Sequence, residues 1–290
     1  MSENISNQNL SPQFYKYLQM SDKERINFIR KDKWIEYPAA RKVLQKIEDI
    51  FDAPPSIRPK GMLIYGVSNN GKTAILKKFY RAHQAGEYTD EDGDVVNMMP
   101  VVYAVAQSSA EESRMYSEIL SSMGIVIKHN EKVAKKLDDL IYYLKLMKTR
   151  LIIIDEIHNV LHGAHTKMTQ LMAALKTLSN KTGVPIILAG TENALAAINI
   201  DNQTKSRFKP YELKQWSHNE DYMRFIATFE AMLPLKNASN LFQNKGLLSE
   251  VYIISDGAIG ETLDILEAAA IEAIRRKSER ITRKEIKNSL

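Results

Sequence analysis

The octapeptide that begins at Gly66 has the residue types and spacing of a phosphate-binding loop. It reads Gly-Val-Ser-Asn-Asn-Gly-Lys-Thr and fills every fixed position of the pattern G-x-x-x-x-G-K-[ST]. Glycines let successive backbone N–H groups wrap a phosphate, and a helix that follows turns its positive end toward the anion. The lysine of this pattern reaches the β- and γ-phosphates, and the hydroxyl binds Mg²⁺. The sequence therefore predicts a nucleoside triphosphate site made of Gly66, Val67, Ser68, Asn69, Asn70, Gly71, Lys72, Thr73 and Ala74.

The segments on either side of this loop have the pattern that a phosphate-binding loop requires. Residues 61–65 form a short apolar run that predicts a buried strand, and residues 74–83 predict a helix. The alternative is an ordinary glycine turn with an incidental lysine. Such a turn does not require a strand before it and a helix after it. The strand and the helix therefore favour phosphate binding, with Lys72 also acting in catalysis.

A second candidate is the apolar run that begins at Leu151 and ends in two carboxylates, Asp155 and Glu156. It predicts a buried parallel strand of the Walker B type, and open α/β sheets bind their ligands at the carboxyl ends of such strands. We expect Asp155 to hold Mg²⁺ together with Thr73, and Glu156 to orient and polarise the attacking water. The alternative, an ordinary strand end capped by acids, is disfavoured by the loop upstream.

Three histidines follow within eight residues, at positions 158, 162 and 165. His158 and His162 have the i, i+4 spacing of a helical metal pair. The zinc pattern H-E-x-x-H, however, needs its glutamate between the histidines, whereas Glu156 precedes both. The chain has no cysteine, which also excludes disulfides and thiolate sites. We therefore expect His158 to begin a helix and the other two to lie on a polar loop, with a metal site as the less favoured alternative.

The remaining hydrophobic pattern predicts alternating strands and helices, followed by helices alone. Further strands are expected at 101–105, at 185–189 and around 211–213, and helices at 21–30, 39–51, 111–123, 131–147 and 167–182. This alternation is typical of a doubly wound α/β fold with a parallel sheet flanked by helices. From Trp216 onward the expected helices are 218–233, 244–255, 260–277 and 282–289. A P-loop sheet followed by a small C-terminal helical lid is the arrangement of AAA+ ATPases.

Length, composition and charge indicate the domain organisation, the location and the kinds of partner that the chain can have. We expect an N-terminal extension over residues 1–57 with its first ten residues disordered, an AAA+ α/β nucleotide-binding domain over 58–215, and a helical lid over 216–290. No apolar run approaches the roughly 18 residues of a membrane span, and the polar start does not resemble a signal peptide, so we expect a cytoplasmic protein. The net charge of +5 permits a polyanion partner without requiring one.

Several segments together carry a family resemblance that extends over nearly the whole chain. They are Asp22–Ile26, Trp34–Pro38, Arg58–Lys60, Asn69–Thr73, Asp155–Asn159, Ala189–Glu192, Ser206–Phe208 and Gly257–Gly260. On these residues the chain resembles the TniB family of transposition AAA+ ATPases, and more distantly the TnsC regulators and the IstB helper ATPases. The tryptophan segment and the Asp-Glu-Ile-His-Asn segment make the resemblance more specific than the phosphate-binding motifs alone.

The resemblance implies an ATP- and Mg²⁺-dependent regulator of DNA transposition, with adenine implied by the family only. Such a protein assembles on double-stranded DNA as a homo-oligomer, in a ring or a filament, and recruits or activates a separate DDE transposase. ATP hydrolysis controls its assembly, and a TniQ-like targeting protein is a possible further partner. Two alternatives remain open: a replication-type helicase loader or initiator, and a nonhydrolysing nucleotide-switch scaffold, although Glu156 argues against the scaffold.

Three further residues have roles that depend on the resemblance or on position. Arg207 matches the family's arginine before phenylalanine and is the candidate finger for a neighbour's ATP site, the alternative being a surface arginine paired with an acid. Thr191 follows the strand after the Walker B strand, where it either bonds the attacking water or γ-phosphate or caps the next helix. Glu261 stands where several relatives place a γ-phosphate-sensing arginine, so that this role is in doubt or falls to Arg275 or Arg276.

Two features leave their alternatives open. Basic residues cluster at 128–136, at 145–150 and at 275–287, where each cluster either contacts DNA phosphates or forms a solvated helix face. We expect DNA binding to be independent of sequence and to require ATP. Trp34 and Tyr37 are expected to pack the N-terminal segment on the core, with a contact to a neighbouring subunit or to adenine as the alternative.

Overall fold

The fold comes from a computed structural model that describes residues 9–89, 91–107, 111–128, 131–162, 165–199 and 202–289. Within these ranges the description excludes the side chains of residues 161, 162, 165 and 197. The strands are β1 Gly61–Tyr65, β2 Gly86–Thr89, β3 Val95–Met98, β4 Val101–Val105, β5 Leu151–Asp155, β6 Ile186–Gly190 and β7 Phe208–Glu212. The α-helices are α1 Tyr15–Leu18, α2 Asp22–Ile29, α3 Pro38–Phe51, α4 Lys72–Ala82, α5 Glu112–Ser122, α6 Val133–Leu146, α7 His165–Thr182, α8 Ala194–Ile198, α9 Asn202–Arg207, α10 Glu220–Glu230, α11 Lys245–Ile254, α12 Ile259–Arg275 and α13 Arg283–Ser289.

The central sheet has five parallel strands in the order β4-β5-β6-β1-β7. Most of its aliphatic strand residues are buried, as at Leu63, Ile152 and Leu188, because helices cover both faces of a parallel sheet. Tyr65 pairs with Gly190 and Ile154 pairs with Leu188, so β1, β5 and β6 end at the same edge. The register therefore brings the loop after β1 and the acids after β5 to one edge of the sheet.

These elements confirm the predicted parallel sheet flanked by helices and followed by C-terminal helices. β1 and β4 have the predicted bounds, and the four helices after Trp216 all form, each somewhat shorter than predicted. β7 begins at Phe208, three residues before the predicted strand, because Phe208 is fully buried. Pro210 is accommodated in β7 because this strand lies at the sheet edge and, among the described strands, pairs only with β1.

The sequence did not predict the antiparallel hairpin formed by β2 and β3. Its residues are exposed or half-buried, so the hydrophobic alternation that identifies a strand is missing. The hairpin contacts the end of α6 through Tyr88, whose hydroxyl donates a 2.8 Å hydrogen bond to the carbonyl of Leu146. The Lys148 ammonium also lies 3.4 Å from the centre of the Tyr88 ring.

The chain forms two compact units whose bounds differ from the predicted domains. The helical unit comprises the segment that ends at Tyr37, the loop Ser68–Gly71 and the segment from Gln215 onward. The sheet unit comprises Pro38–Val67 and Lys72–Lys214. The predicted N-terminal extension is thus divided, because α3 packs in the sheet unit, where the ring of Phe51 lies 5.7 Å from that of Phe79.

Buried polar contacts join the N-terminal segment to the rest of the helical unit. The Arg25 guanidinium is 1% exposed and donates to both carboxylate oxygens of Glu279, at 2.6 and 2.7 Å, and to the carbonyl of Pro234 at 3.0 Å. Most of the predicted disorder over residues 1–10 lies outside the described residues. Leu10 is described and buried, and the Asn9 amide donates to Glu230 at 3.1 Å.

Aromatic packing explains the burial of Tyr37 in the helical unit. Its ring lies 5.0 Å from that of Trp216 and 5.6 Å from that of Phe225, and the latter two rings are 5.1 Å apart. Tyr37 therefore packs in a hydrophobic core, as predicted. Across the described part of the chain, no helix combines the length and the hydropathy of a membrane span.

Candidate nucleotide-binding site

The phosphate-binding loop connects β1 to α4 in the predicted position, and its backbone has the required special conformations. Asn69 has a φ of +52° and Gly71 a φ of +89°, both in the left-handed region. Successive N–H groups in such conformations form a concave anion site. A Cβ at Gly66 would lie 2.4 Å from the carbonyl oxygen of Leu213, so a larger residue does not fit there. The loop thus has the geometry of a phosphate cradle.

The Lys72 side chain is 5% exposed and lies along this loop. Its ammonium donates to the carbonyl of Gly66 at 3.0 Å and to that of Val67 at 2.7 Å. Burial lowers the pKa of Lys72 from its ordinary value, and the charges of Glu156 and Asp155 oppose that shift. The side chain is therefore held at the phosphate cradle by local hydrogen bonds.

Asp155 ends β5 with its carboxylate bound by three donors. Its Oδ2 accepts from the Thr73 hydroxyl at 2.7 Å and from the Tyr103 hydroxyl at 2.6 Å, while its Oδ1 accepts from the Glu156 N–H at 2.8 Å. The carboxylate and the Thr73 hydroxyl are oxygen ligands of the kind that Mg²⁺ prefers, and they are close enough to share one ion. Thr73 and Asp155, the two predicted metal ligands, are thus brought together.

Tyr103 is a site residue that the sequence reasoning missed. It lies in β4, and burial, followed by its hydrogen bond to Asp155, raises the pKa of its hydroxyl well above the ordinary value. The only sequence signal is a single polar-tipped residue in the otherwise aliphatic strand Val-Val-Tyr-Ala-Val. Its contact depends on β4 lying beside β5, which the pattern of residues does not reveal.

Glu156 adopts a left-handed backbone conformation, with a φ of +57°. Such a conformation costs a residue with a Cβ roughly 1–2 kcal/mol, and residues held in it cluster at functional sites. The Glu156 carboxylate is 37% exposed, and its Oε2 lies 3.2 Å from Nε2 of His158. The other ring nitrogen of His158, Nδ1, is buried without a hydrogen-bond partner among the described residues. His158 therefore contacts the predicted catalytic carboxylate.

The histidine cluster is arranged differently from the prediction in one respect. His158 lies in a 3-10 helix, Ile157–His162, as expected for a helix that follows the strand. His162 ends that helix and His165 begins α7, so the prediction that both lie on a loop was wrong, because α7 begins two residues earlier than expected. The side chains of His162 and His165 lie outside the described residues. Within the described ranges, no three His, Asp or Glu side chains form a metal-binding group.

Thr191 follows β6, and its hydroxyl does not cap a helix. The next helix, α8, has Asn193 at its N-cap and no side-chain hydrogen bond there. The Thr191 Oγ1 atom is buried and finds no partner within the described part of the chain. A buried hydroxyl without a partner fits a polar ligand or a water, because an unsatisfied polar group is costly. This arrangement suits the predicted contact with the γ-phosphate or the attacking water.

Arg207 ends α9, and its side chain is 9% exposed. Its guanidinium donates to the carbonyl of Pro59 at 3.1 Å and to Oδ1 of Asn180 at 2.6 Å, and both of these acceptors are neutral. Burial, together with the charge of Arg58, lowers the pKa of Arg207. In this structure Arg207 is a buried residue that supports the segment before β1, and not a surface arginine paired with an acid.

The predicted basic clusters are partly neutralised within the chain. Lys136 is 5% exposed and donates to the hydroxyls of Ser113 and Ser117. Five more of these residues form ion pairs: Lys135 with Asp139, Arg150 with Asp52, Arg276 with Glu272, Lys277 with Asp22, and Arg283 with Glu250. Other exposed members of the clusters are Lys128, Lys132, Lys145, Lys148, Arg275, Arg280, Lys284 and Lys287.

Solved structures share this fold at low sequence identity. The ORC1 protein of Aeropyrum pernix in complex with DNA matches with a TM-score of 0.59 at 15% identity, covering 91% of this chain and 68% of that one. The ADPNP-ADP complexes of the ORC2 protein of the same organism match with a TM-score of 0.61 at 14% identity, covering 90% and 70%. Cdc6p of Pyrobaculum aerophilum matches with a TM-score of 0.62 at 14% identity, covering 91% and 69%.

The fold and the arrangement of the site define the class as a P-loop protein of the AAA+ ATPase type. The family follows from the sequence, because the family model described as "Bacterial TniB protein" matches residues 25–218, and this chain therefore belongs to the TniB family. No curated protein matches the sequence. The matched range includes Lys72, Asp155, Glu156 and Arg207.

Proposed function

We propose that this chain is an ATP-dependent regulator of DNA transposition, which assembles on target DNA and recruits or activates a separate DDE transposase. Membership of the TniB family is the observation that carries the proposal. The geometry of the phosphate-binding loop supports the proposed binding of ATP. In this proposal, hydrolysis of ATP controls the assembly, and the chain itself does not cut DNA.

In this proposal, different site residues bind the phosphates, bind Mg²⁺ and activate water, and their contacts support these roles. The backbone of the loop and the Lys72 ammonium hold the β- and γ-phosphates, and the hydroxyl of Thr73 with the carboxylate of Asp155 holds Mg²⁺. Bound Mg²⁺ neutralises charge that develops on the phosphate oxygens. Glu156 orients the attacking water and Thr191 donates to it or to the γ-phosphate. The Thr191 hydroxyl, which has no hydrogen-bond partner among the described residues, suits a bound nucleotide.

The proposal that the chain binds DNA rests on its fold and on its positive charge. Two of the structures with the same fold, Aeropyrum pernix ORC1 and Drosophila ORC, are bound to DNA. This chain carries a net charge of +5 and exposed lysines and arginines in three clusters. One exposed cluster binds phosphates weakly, but the same cluster repeated along a ring or filament of subunits binds strongly. We therefore propose sequence-independent binding to duplex DNA by an oligomer that needs ATP.

The role of Arg207 in a neighbouring subunit's site is also part of the proposal. Its two hydrogen-bond acceptors are neutral oxygens, so neither of them compensates the guanidinium charge. A permanently charged, planar guanidinium suits the charge that builds on a transferring phosphoryl group. Reaching a neighbour's phosphate would require the side chain to leave Pro59 and Asn180 when subunits assemble.

The experiment that tests the proposal measures ATPase rate and particle size with and without duplex DNA. We expect stimulated hydrolysis together with rings or filaments on DNA, and loss of ATP binding and assembly in Lys72→Ala. Glu156→Gln should keep ATP and DNA binding while losing turnover, because only the activation of water is removed. A monomer that is indifferent to DNA would contradict the proposal. Persistent turnover in Glu156→Gln would move the catalytic role to another residue.

A second candidate function is that of a helicase loader or replication initiator. The ORC and Cdc6p structures favour it at the level of the fold, although at 14–15% identity they show the fold alone. Affinity purification of the tagged full chain from its own cells distinguishes the two. A DDE transposase or a TniQ-like protein among the bound proteins supports the transposition role, and a replicative helicase supports the loader.

A further inference from the structure

The phosphate-binding loop makes three hydrogen bonds to the start of α12, all of them within the helical unit. The Gly260 N–H donates to the carbonyl of Asn69 at 2.8 Å. The side-chain amide of Asn69 donates to Oε1 of Glu261 at 3.0 Å and to Oδ2 of Asp264 at 3.2 Å. A Cβ at Gly260 would lie 2.0 Å from Oδ1 and 2.6 Å from the carbonyl oxygen of Asn69, so the contact requires glycine.

These bonds hold Asn69 in the conformation that the loop needs. With a φ of +52°, Asn69 is a residue with a Cβ in the left-handed region, which asparagine tolerates better than most residues but still at a cost. Its N–H belongs to the row of loop N–H groups that face a phosphate. Both the backbone and the side chain of Asn69 are fixed from the same helix, so the loop geometry depends on the acceptors at Glu261 and Asp264.

This arrangement gives Glu261 a use other than sensing a phosphate. A carboxylate repels the γ-phosphate, so Glu261 does not replace the arginine that several relatives place at this position. Of the two arginines considered as substitutes, Arg276 forms an ion pair with Glu272 and Arg275 is exposed at the other end of α12. The two acids instead contact the loop that binds the β-phosphate.

We propose that Glu261 and Asp264 are positioning residues for nucleotide binding, which hold Asn69 so that the loop N–H groups are preorganised around a phosphate. The proposal rests on the nucleotide binding proposed above. Because the β-phosphate is common to ADP and ATP, the two acids strengthen the binding of both nucleotides by the same factor. A γ-phosphate sensor at the same place would strengthen the binding of ATP alone.

Calorimetric titration of the full chain with Mg·ADP and with a Mg-bound nonhydrolysable ATP analogue tests this. Removing two acids near a phosphate also removes electrostatic repulsion of the nucleotide. We therefore compare two double variants that lose the same two charges. Glu261→Ala with Asp264→Ala removes the charges and the acceptors, whereas Glu261→Gln with Asp264→Asn removes the same charges but keeps acceptor oxygens. We expect the alanine pair to bind both nucleotides roughly two- to tenfold more weakly than the amide pair.

A substitution at Asn69 tests whether the two acids act through this residue. Asn69→Gly has no side chain to be held and adopts a positive φ without a Cβ penalty. In the Asn69→Gly background the alanine pair and the amide pair should bind nucleotide equally. Glu272→Ala on the same helix, which removes the contact with Arg276, should bind as the wild type does. Thermal unfolding of each variant checks that all of them are folded at the titration temperature.

The outcomes separate the positioning role from the proposed function. Equal affinities of the alanine and amide pairs, or a difference confined to the ATP analogue, would overturn the positioning role while leaving nucleotide binding intact. A difference that persists in the Asn69→Gly background would also overturn it. If the wild type bound neither nucleotide, or if Lys72→Ala bound both normally, the proposed function itself would fail, and the positioning role with it.

Discussion

The Tyr103 hydroxyl and the Thr73 hydroxyl donate to the same carboxylate oxygen of Asp155, at 2.6 and 2.7 Å. Asp155 is 1% exposed, so water is largely excluded from this carboxylate and its orientation depends on protein donors. Thr73 and Asp155 are the proposed Mg²⁺ ligands. Tyr103 therefore supports a metal ligand from the neighbouring strand without being a ligand itself.

Replacing Tyr103 should weaken the binding of Mg²⁺ at the nucleotide site. Tyr103→Phe removes one donor from a buried carboxylate, and we expect the half-saturating Mg²⁺ concentration for binding of an ATP analogue to rise by about tenfold. Magnesium titrations followed by a fluorescent ATP analogue measure this. Tyr142→Phe, at an exposed tyrosine, is the control. An unchanged Mg²⁺ dependence in Tyr103→Phe would contradict the supporting role.

His158 should affect turnover through Glu156 and not through nucleotide binding. His158→Ala frees the Glu156 carboxylate from its 3.2 Å contact, and we expect kcat to fall roughly tenfold, part of what a positioned general base contributes, at an unchanged KM. His158→Gln keeps a polar group and should recover part of the rate. Steady-state ATPase kinetics provide both constants. A rise in KM without a fall in kcat would assign His158 to substrate binding instead.

Arg207 should show both a stability effect and an effect on neighbouring sites. Arg207→Ala removes two hydrogen bonds from a buried guanidinium, and we expect the free energy of unfolding to fall by about 1–3 kcal/mol, measured by denaturant titration. Arg280→Ala, at an exposed arginine, should leave stability unchanged. If Arg207 also acts in trans, mixing Arg207→Ala with Glu156→Gln subunits should restore some ATPase activity, because Glu156→Gln keeps ATP binding and carries an intact Arg207. Mixtures without recovered activity would leave Arg207 with the structural role alone.

The buried ion pair between Arg25 and Glu279 should dominate the stability of the helical unit. Arg25→Ala leaves the Glu279 carboxylate, which is 6% exposed, without its charged partner, at a cost of about 3–5 kcal/mol. The chain offers a matched comparison in Arg224→Ala, which removes an exposed ion pair with Glu220 and should have no measurable effect. Thermal and denaturant unfolding of both variants test this. Equal stabilities of Arg25→Ala and Arg224→Ala would show that the buried ion pair does not dominate the stability of the helical unit.

The pH dependence of stability should include a contribution from Asp22. Hydrogen bonds from Lys277 and then from Arg25 lower the pKa of Asp22 below its ordinary value of 3.8. Because the folded pKa lies below the unfolded one, this contribution is fully present above the unfolded pKa and is lost as pH falls through the folded pKa. Asp22→Asn should therefore unfold at a lower temperature than the wild type at pH 7. The difference should narrow as pH falls below 4, and a constant difference would contradict the assignment.

Local pattern was enough to predict the elements that position the candidate site. The apolar runs at Gly61–Tyr65 and Leu151–Asp155 became buried strands, because several adjacent aliphatic residues are stable only inside a covered sheet. The predictions were less accurate where an element buries little surface. The hairpin of β2 and β3 was missed for that reason, whereas α8 and α9, with five and six residues, are too short to show a helical repeat.

Contacts between distant positions could not be predicted in the same way. A lysine in a basic cluster has the same sequence pattern whether it is exposed, as Lys132 is, or buried against two serine hydroxyls, as Lys136 is. From the sequence, Arg207 was likewise a candidate finger with a surface arginine as the alternative, and Arg25 was only part of a segment that carries the family resemblance, although both are buried and hydrogen-bonded. Their environments depend on which strand or helix lies alongside.

The amino-acid sequence by itself determined the P-loop α/β class and the family, and it predicted the residues proposed to hold phosphate and Mg²⁺, because these follow from fixed spacings and short-range periodicity. Only the tertiary structure decided that Tyr103 supports Asp155, that His158 contacts Glu156, and that Glu261 and Asp264 hold Asn69. The reason is physical: a hydrogen bond forms only within about 3 Å, and strand order and helix packing bring together donors and acceptors that are far apart along the chain.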